Sequence, residues 1–279
     1  MNTELKTDMN DDVTFYMQGW EPEGKPKAIV CLVHGLGEHS GRYEHVGKAL
    51  NEAGHALFGF DLRGHGKTGG ARGHLPSLDV VIQDIHQFVG FQKQNFPDAP
   101  VFLYGHSLGG VYLLAYAIQH GEGLNGAVIT GLALRSPLLE QKAKVTLVNV
   151  LGSLLPRLTI PTGLDPATIS RDPAVVQKYI SDPLVHDKSS LGYAKASFTA
   201  IDFCFAHARE LDDIPLLLMH GTADRITYPS GSEEFAKLAS ETNKDVTLKL
   251  WEGLYHEIHN EPEQADVFKF MIEWLDRHL

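Results

Sequence analysis

The chain has 279 residues and a net charge of −11, from 24 Lys and Arg against 35 Asp and Glu. With 43% hydrophobic and 21% charged residues it has a globular composition, which excludes a disordered chain. The acidic balance speaks against a nucleic-acid binder, because neutralising phosphates takes an excess of Lys and Arg.

The first segment, MNTELKTDMNDD, is acidic and polar, where a signal peptide needs a cationic start and an apolar stretch. Val13, Phe15 and Met17 then alternate with Thr14, Tyr16 and Gln18, the pattern of a half-exposed edge strand. KAIVCLVHG (Lys27 to Gly35) is a continuous apolar, β-branched run, which predicts a strand buried on both faces. Such runs recur at HALFGFD (His55 to Asp61), VFLYG (Val101 to Gly105), AVITGLAL (Ala127 to Leu134), PLLLMHG (Pro215 to Gly221) and VTLKLWEG (Val246 to Gly253). Between most of them, apolar residues three and four apart predict amphipathic helices, as at Val81, Ile85, Phe88 and Val89 or Val111, Leu114, Ala115 and Ile118. The alternation predicts an α/β fold with a mostly parallel sheet covered on both faces.

The rhythm breaks between Pro137 and about Ala200, which holds Pro156, Pro161, Pro166, Pro173 and Pro183 and short apolar helical pieces but no buried-strand run. The expected organisation is one core, residues 1–136 and 201–279, with an insertion at 137–200 packed over one edge of the sheet. Cys31 and Cys204 read as buried thiols of a reducing compartment. No apolar run approaches the ~18 residues of a membrane span, so the expectation is a soluble cytoplasmic protein.

After the VFLYG strand comes Gly105-His106-Ser107-Leu108-Gly109, a G-x-S-x-G between a predicted strand and a predicted helix. The motif needs that context, since its serine sits on a sharp, strained turn whose neighbours must lack clashing side chains. The turn would expose Ser107 as a nucleophile and put the Leu108 N–H at a helix N-terminus, where it can donate to an oxyanion. A serine needs a base and an orienting acid. Asp224 in HGTAD and His256 in EGLYH each follow a predicted strand at its C-terminal end, the edge where sites form in open parallel sheets. His106 and His259 are the rival histidines. His256 and His259 are three residues apart, whereas zincins need four, and neither a metal nor a cofactor is expected.

Gly35-Leu36-Gly37, with Gly41 and then Asp61, imitates a dinucleotide fingerprint, but the spacing is wrong and Glu38 would repel a pyrophosphate. The Leu36 N–H serves better as the second oxyanion donor. Asp61 precedes the serine, and its expected role is to hold a turn.

On these residues the chain resembles the α/β-hydrolase superfamily and, within it, the monoacylglycerol lipase and lysophospholipase-like branch. The signatures are HGLGEHSGRY (His34 to Tyr43), FDLRGHGKTGG (Phe60 to Gly70), GHSLGG (Gly105 to Gly110), SDPLV (Ser181 to Val185), HGTADRI (His220 to Ile226) and EGLYHEIHNE (Glu252 to Glu261). The resemblance implies an α/β-hydrolase fold, a triad of Ser107, Asp224 and His256, oxyanion donors at Leu36 and Leu108, and a cap at 137–200 forming the acyl pocket. Leu108 stands where methionine is common and Leu36 where a smaller residue is common; both act through backbone N–H. The implied reaction is hydrolysis of a monoacylglycerol to fatty acid and glycerol, with a broader carboxylesterase or lysophospholipase as the alternative and a silent hydrolase-fold binding protein as a third reading.

Within the insertion, Val145, Leu147, Val148, Val150, Leu151, Leu154 and Leu155 are apolar nearly all round a short helix. One side is expected on the core and the other along an acyl tunnel, with Leu147, Leu151, Leu154 and Ile226 as substrate contacts. Residues 137–200 carry seven Lys and Arg against five Asp and Glu, a net +2 within a chain of −11. The resemblance implies a small lipid ester as partner, and the charge asymmetry predicts peripheral contact of this segment with lipid aggregates or a membrane.

Overall fold

The computed structural model describes residues 2–9, 13–211 and 214–279. Among them, eight strands form one sheet: β1 (Asn2–Met9), β2 (Val13–Trp20), β3 (Ile29–Val33), β4 (Ala56–Phe60), β5 (Val101–His106), β6 (Gly126–Thr130), β9 (Leu216–Gly221) and β10 (Val246–Trp251), in the spatial order β1-β2-β4-β3-β5-β6-β9-β10. The pairs β1·β2 and β2·β4 are antiparallel and all others parallel, so six strands end at the same edge.

Strand β3 has no polar face because both of its faces are covered. Ile29, Cys31 and Val33 enter one core cluster with α2 (Leu78–Asn95), α3 (Ser107–His120) and α8 (Pro229–Ala239). Val30 and Leu32 enter the other, with α1 (Glu44–Glu52) and α9 (Gln264–Arg277). Alternate residues of one apolar run thus serve two cores.

Two expectations about edges are corrected. The outer strand on one side is β1, in the segment read as a polar terminus, and it pairs along the whole of β2, Asn2 opposite Trp20 and Met9 opposite Val13. Residues Phe15 to Trp20 of β2 are consequently buried instead of half-exposed. At the other side β10 is an edge, half-buried throughout, although its sequence reads as fully buried.

The insertion holds α4 (Pro137–Glu140), α5 (Lys142–Leu154), β7 (Thr159–Pro161), α6 (Pro173–Ser181) and β8 (Lys188–Ser190), with β7 and β8 forming a separate antiparallel pair. The boundary expected at residue 200 falls inside α7 (Leu191–His207), a continuous helix that starts on the Ser190 cap and puts Tyr193, Ala196, Ala200, Ile201 and Cys204 into the core. Residues 137–190 therefore form the excursion. Its second half rests on loops at the C-terminal ends of the parallel strands: His186 N–H donates to Gly37 O at 2.9 Å, Ser190 N–H to Gly73 O at 2.7 Å, and Asp182 pairs with His39 at 2.9 Å. Arg171 pairs with Glu261 at 2.8 Å and also reaches Glu263. Among the described residues no helix is long and apolar enough to cross a membrane.

Candidate active site

Ser107 opens α3 directly after β5, and with φ of 52° it is the one non-glycine among the described residues in the left-handed region. Such a backbone costs about 1–3 kcal/mol and persists only where the surroundings enforce it. They do so here by contact. A Cβ on Gly109 would stand 2.3 Å from His34 O, and one on Gly105 would stand 2.6 Å from Gly110 Cα. The first turn of α3 is thus wedged against the end of β3, and only glycine fits at 105 and 109. A Cβ on Gly35 would lie 3.2 Å from Ser107 Cβ, so the loop carrying Leu36 runs past the serine. Leu108 is the second residue of α3, where a backbone N–H has no intrahelical acceptor. Leu36 is half-buried, its side chain on the main core cluster.

Asp224 lies in the turn after β9 and His256 in the turn after β10, on the same edge of the sheet. Asp224 Oδ1 accepts the backbone N–H groups of Ile226 at 2.8 Å and Thr227 at 3.0 Å, which fixes the carboxylate plane. Oδ2 accepts from His256 Nδ1 at 2.7 Å. Burial alone would raise the Asp224 pKa, but His256 and His220 outweigh it and hold the carboxyl well below the usual range. Burial also disfavours a charged His256 ring, yet the Asp224 carboxylate outweighs it and raises the imidazole above the ordinary value. Both partners favour ionisation, which suits a base that must become an imidazolium. The serine is on this edge too. The ring of its neighbour His106 lies 4.7 Å from that of His256, centroid to centroid. No hydrogen bond between Ser107 Oγ and His256 is present among the described residues; such contacts commonly close only on substrate.

The rival histidines are engaged elsewhere. His106 Nδ1 lies 3.0 Å from Thr130 Oγ1, and burial keeps the ring neutral. His259 stacks on Tyr43 at 4.9 Å, and burial pulls it down to about 3. Asp61 accepts from Ser40 N–H at 2.8 Å, Ser40 Oγ at 2.6 Å and Lys67 N–H at 2.8 Å, holding two turns together. In the glycine loop after β3, Gly35 N–H donates to Glu38 Oε1 at 2.7 Å, so the chain's own carboxylate occupies the donor that a phosphate would need.

The four expected substrate contacts are dispersed. Leu147 is 56% and Leu154 70% exposed on the outward face of α5, so neither lines an enclosed tunnel. The inward face of α5, with half-buried Val145, Val148 and Leu151, rests on α7, where Gly152 lets the backbones close: a Cβ there would meet Leu191 O at 2.7 Å. Ile226 is half-buried and touches the site through its N–H on Asp224.

Three groups escaped the sequence reading. Thr227 Oγ1 lies 2.9 Å from Asp224 Oδ2 and 3.1 Å from Gly131 O, and its single proton serves one of them at a time. His220 also reaches Asp224. Beside His256, the buried Arg42 guanidinium joins Glu38 at 2.8 Å and Glu257 at 2.7 Å, with the Tyr179 ring 4.7 Å from its centre. Burial would raise the Glu257 carboxyl, but Arg42 brings it down to about 2. Arg42 and Glu38 lie in the quoted HGLGEHSGRY motif; their partnership with Glu257 is visible only in three dimensions.

A mostly parallel sheet with a strained serine between strand and helix, and an acid and a histidine bonded at later strand ends, defines the α/β-hydrolase fold. A family model described as serine aminopeptidase, S33, matches residues 24–263, and the chain belongs to that family. It is 40% identical over 97% of its length to an abhydrolase domain-containing protein of Dictyostelium discoideum, of which it spans 28%. It is 37% identical to the monoacylglycerol lipase of Mycolicibacterium smegmatis, covering 93% of this chain and 92% of that one. The crystal structure of Paleococcus ferrophilus monoacylglycerol lipase superposes with a TM-score of 0.86 at 37% identity, over 95% of this chain and 99% of the other.

Proposed function

We propose that the chain is a serine hydrolase that cleaves the ester bond of monoacylglycerols to fatty acid and glycerol. The observation that carries this reading is left-handed Ser107 on the sheet edge that also holds the bonded pair Asp224 and His256. The relatives named monoacylglycerol lipase support the substrate class.

Because His256 Nδ1–H donates to Asp224 Oδ2, His256 presents Nε2 as the base. His256 removes the Ser107 proton as Oγ attacks the ester carbonyl, and the Leu36 and Leu108 N–H groups receive the oxyanion. The imidazolium protonates the departing glycerol oxygen. Water then attacks the acyl-enzyme with the same ring as base, releasing the fatty acid. Asp224 orients the ring and stabilises its charged form.

In this reading residues 137–190 act as the cap. The exposed Leu147, Val150, Leu154, Leu155 and Leu158 make an apolar surface of the kind that meets lipid aggregates or a membrane face, while the acidic body stays in water. Buried, unpaired Cys31 and Cys204 suit a cytoplasmic location.

The test is labelling by a fluorophosphonate probe, followed by hydrolysis of a monoacylglycerol series against di- and triacylglycerols, short-chain esters and lysophospholipids. Labelling lost in Ser107→Ala, with monoacylglycerols turned over fastest, is the expected outcome. Faster lysophospholipid or short-ester turnover would move the reading to the broader esterase. An unlabelled wild type would make the chain a binding protein.

A further inference from the structure

His220 is the fifth residue of β9 and is completely buried. Its Nε2 lies 3.0 Å from Asp224 Oδ2 and 3.2 Å from the Thr227 carbonyl oxygen. The carbonyl can only accept, so Nε2 carries the proton. Its Nδ1 lies 2.8 Å from Ser232 Oγ, and Ser232, on α8, is likewise completely buried. With the proton on Nε2, Nδ1 offers its lone pair to the Ser232 hydroxyl. The result is a directed chain: Ser232 donates to His220, and His220 donates to the same carboxylate oxygen that accepts from His256.

We propose that His220, locked in this tautomer by Ser232, is a positioning residue that moderates the hold of Asp224 on His256. The proposal deepens the ester-hydrolase reading and rests on it. Two imidazole N–H groups share one oxygen, and each donor stabilises the carboxylate charge. A carboxylate so stabilised pulls less strongly on the His256 proton and is less free to rotate. Without His220, Asp224 would bind the His256 imidazolium more tightly, and the base would be protonated at higher pH.

Among the described residues, the other titratable and charged groups facing this assembly are His106 against the His256 ring, and Glu257 and Glu38 with Arg42 beside it. His259 contacts His106 from the far side. None touches His220, so substitutions at 220 and 232 leave their fields in place.

The experiment is kcat/KM against pH on a soluble chromogenic short-chain ester, for wild type, His220→Leu, His220→Gln and Ser232→Ala. In His220→Leu the acid limb moves up by about 0.5–1 pH unit, kcat on the plateau falls about tenfold, and KM stays within about twofold. The Gln side-chain amide can donate to Oδ2, and it returns the limb to within about 0.2 unit of wild type. Ser232→Ala deletes one oxygen, frees the tautomer and moves the limb in the same direction as His220→Leu. It carries the test if His220→Leu does not fold. An unmoved limb in folded His220→Leu or Ser232→Ala, or a Gln variant no nearer to wild type than Leu, overturns the proposal while the wild-type hydrolase stands. A wild type without turnover or Ser107 labelling overturns the underlying reading and the proposal with it.

Discussion

Arg42 donates through both Nη atoms to the two carboxylate oxygens of Glu257, each at 2.7 Å, tying the loop after β3 to the residue that follows His256. The network is buried, so removing its cation leaves Glu38 and Glu257 without a counter-charge. Arg42→Met should cost about 3–5 kcal/mol of stability by denaturant unfolding. It should also lower kcat, because the backbone that carries His256 loses its anchor. Arg42→Lys should recover only part of the loss, since an ammonium cannot match the fork.

The backbone of Ser107 separates chemistry from strain. Ser107→Ala removes the hydroxyl and keeps the left-handed residue; Ser107→Gly removes both. Each should abolish turnover and labelling. The glycine variant should unfold about 1 kcal/mol later than the alanine variant, the left-handed penalty less the entropy cost of glycine. Equal stabilities would mean that the strain stored at the φ of 52° only matches the entropy cost of glycine.

The pH response should have two components. The base acts neutral and Asp224 raises its pKa, so kcat/KM falls as pH drops through a midpoint above the ordinary 6.5. Asp224→Asn should lower that midpoint as well as the rate. Stability should also fall in acid. Burial holds His34 and His259 neutral down to about 3, whereas in the unfolded chain they charge near 6.5. Below 6.5 the unfolded chain binds more protons, so stability is lost progressively from 6.5 towards 3. Melting temperatures at several pH values between 7.5 and 4 check this.

The seat of the excursion depends on two glycines. Gly37 has φ of 78° and Gly73 φ of 68°; an added Cβ would stand 2.4 Å from His186 O and 2.2 Å from Lys188 O, respectively. Gly73→Ala should therefore lift β8 off its loop, lowering the melting temperature by several degrees, for roughly 1–3 kcal/mol. KM should rise more than kcat falls if residues 137–190 shape the substrate site.

On the outward face of α5, Leu147→Asp and Leu154→Asp should change stability by less than about 0.5 kcal/mol, because both side chains are exposed. Under the proposed lipid contact, hydrolysis of micellar substrate should drop several-fold while a soluble ester is turned over as before. Equal effects on both substrates would remove the lipid role of this face.

The parallel strands of the core and their order along the chain are legible in the sequence alone. Apolar runs of five or six residues between stretches of helical period leave few alternatives to a covered parallel sheet, and the sharp turn around Ser107 is local, since glycine at 105 and 109 is needed within four residues of chain. The positions of Asp224 and His256 were legible for the same reason: each directly follows a strand, and parallel strands end on one edge. What tertiary structure decided was which strand is outermost, where α7 resumes the core, which face of α5 looks outward, and which polar groups meet. An apolar pattern states that a face is covered but not by what, so β2 could read as an edge until β1 was paired with it. A hydrogen-bond partner is chosen by packing, not by spacing: Arg42 meets Glu257 across 215 residues, and His220 meets Ser232 only because α8 lies against β9.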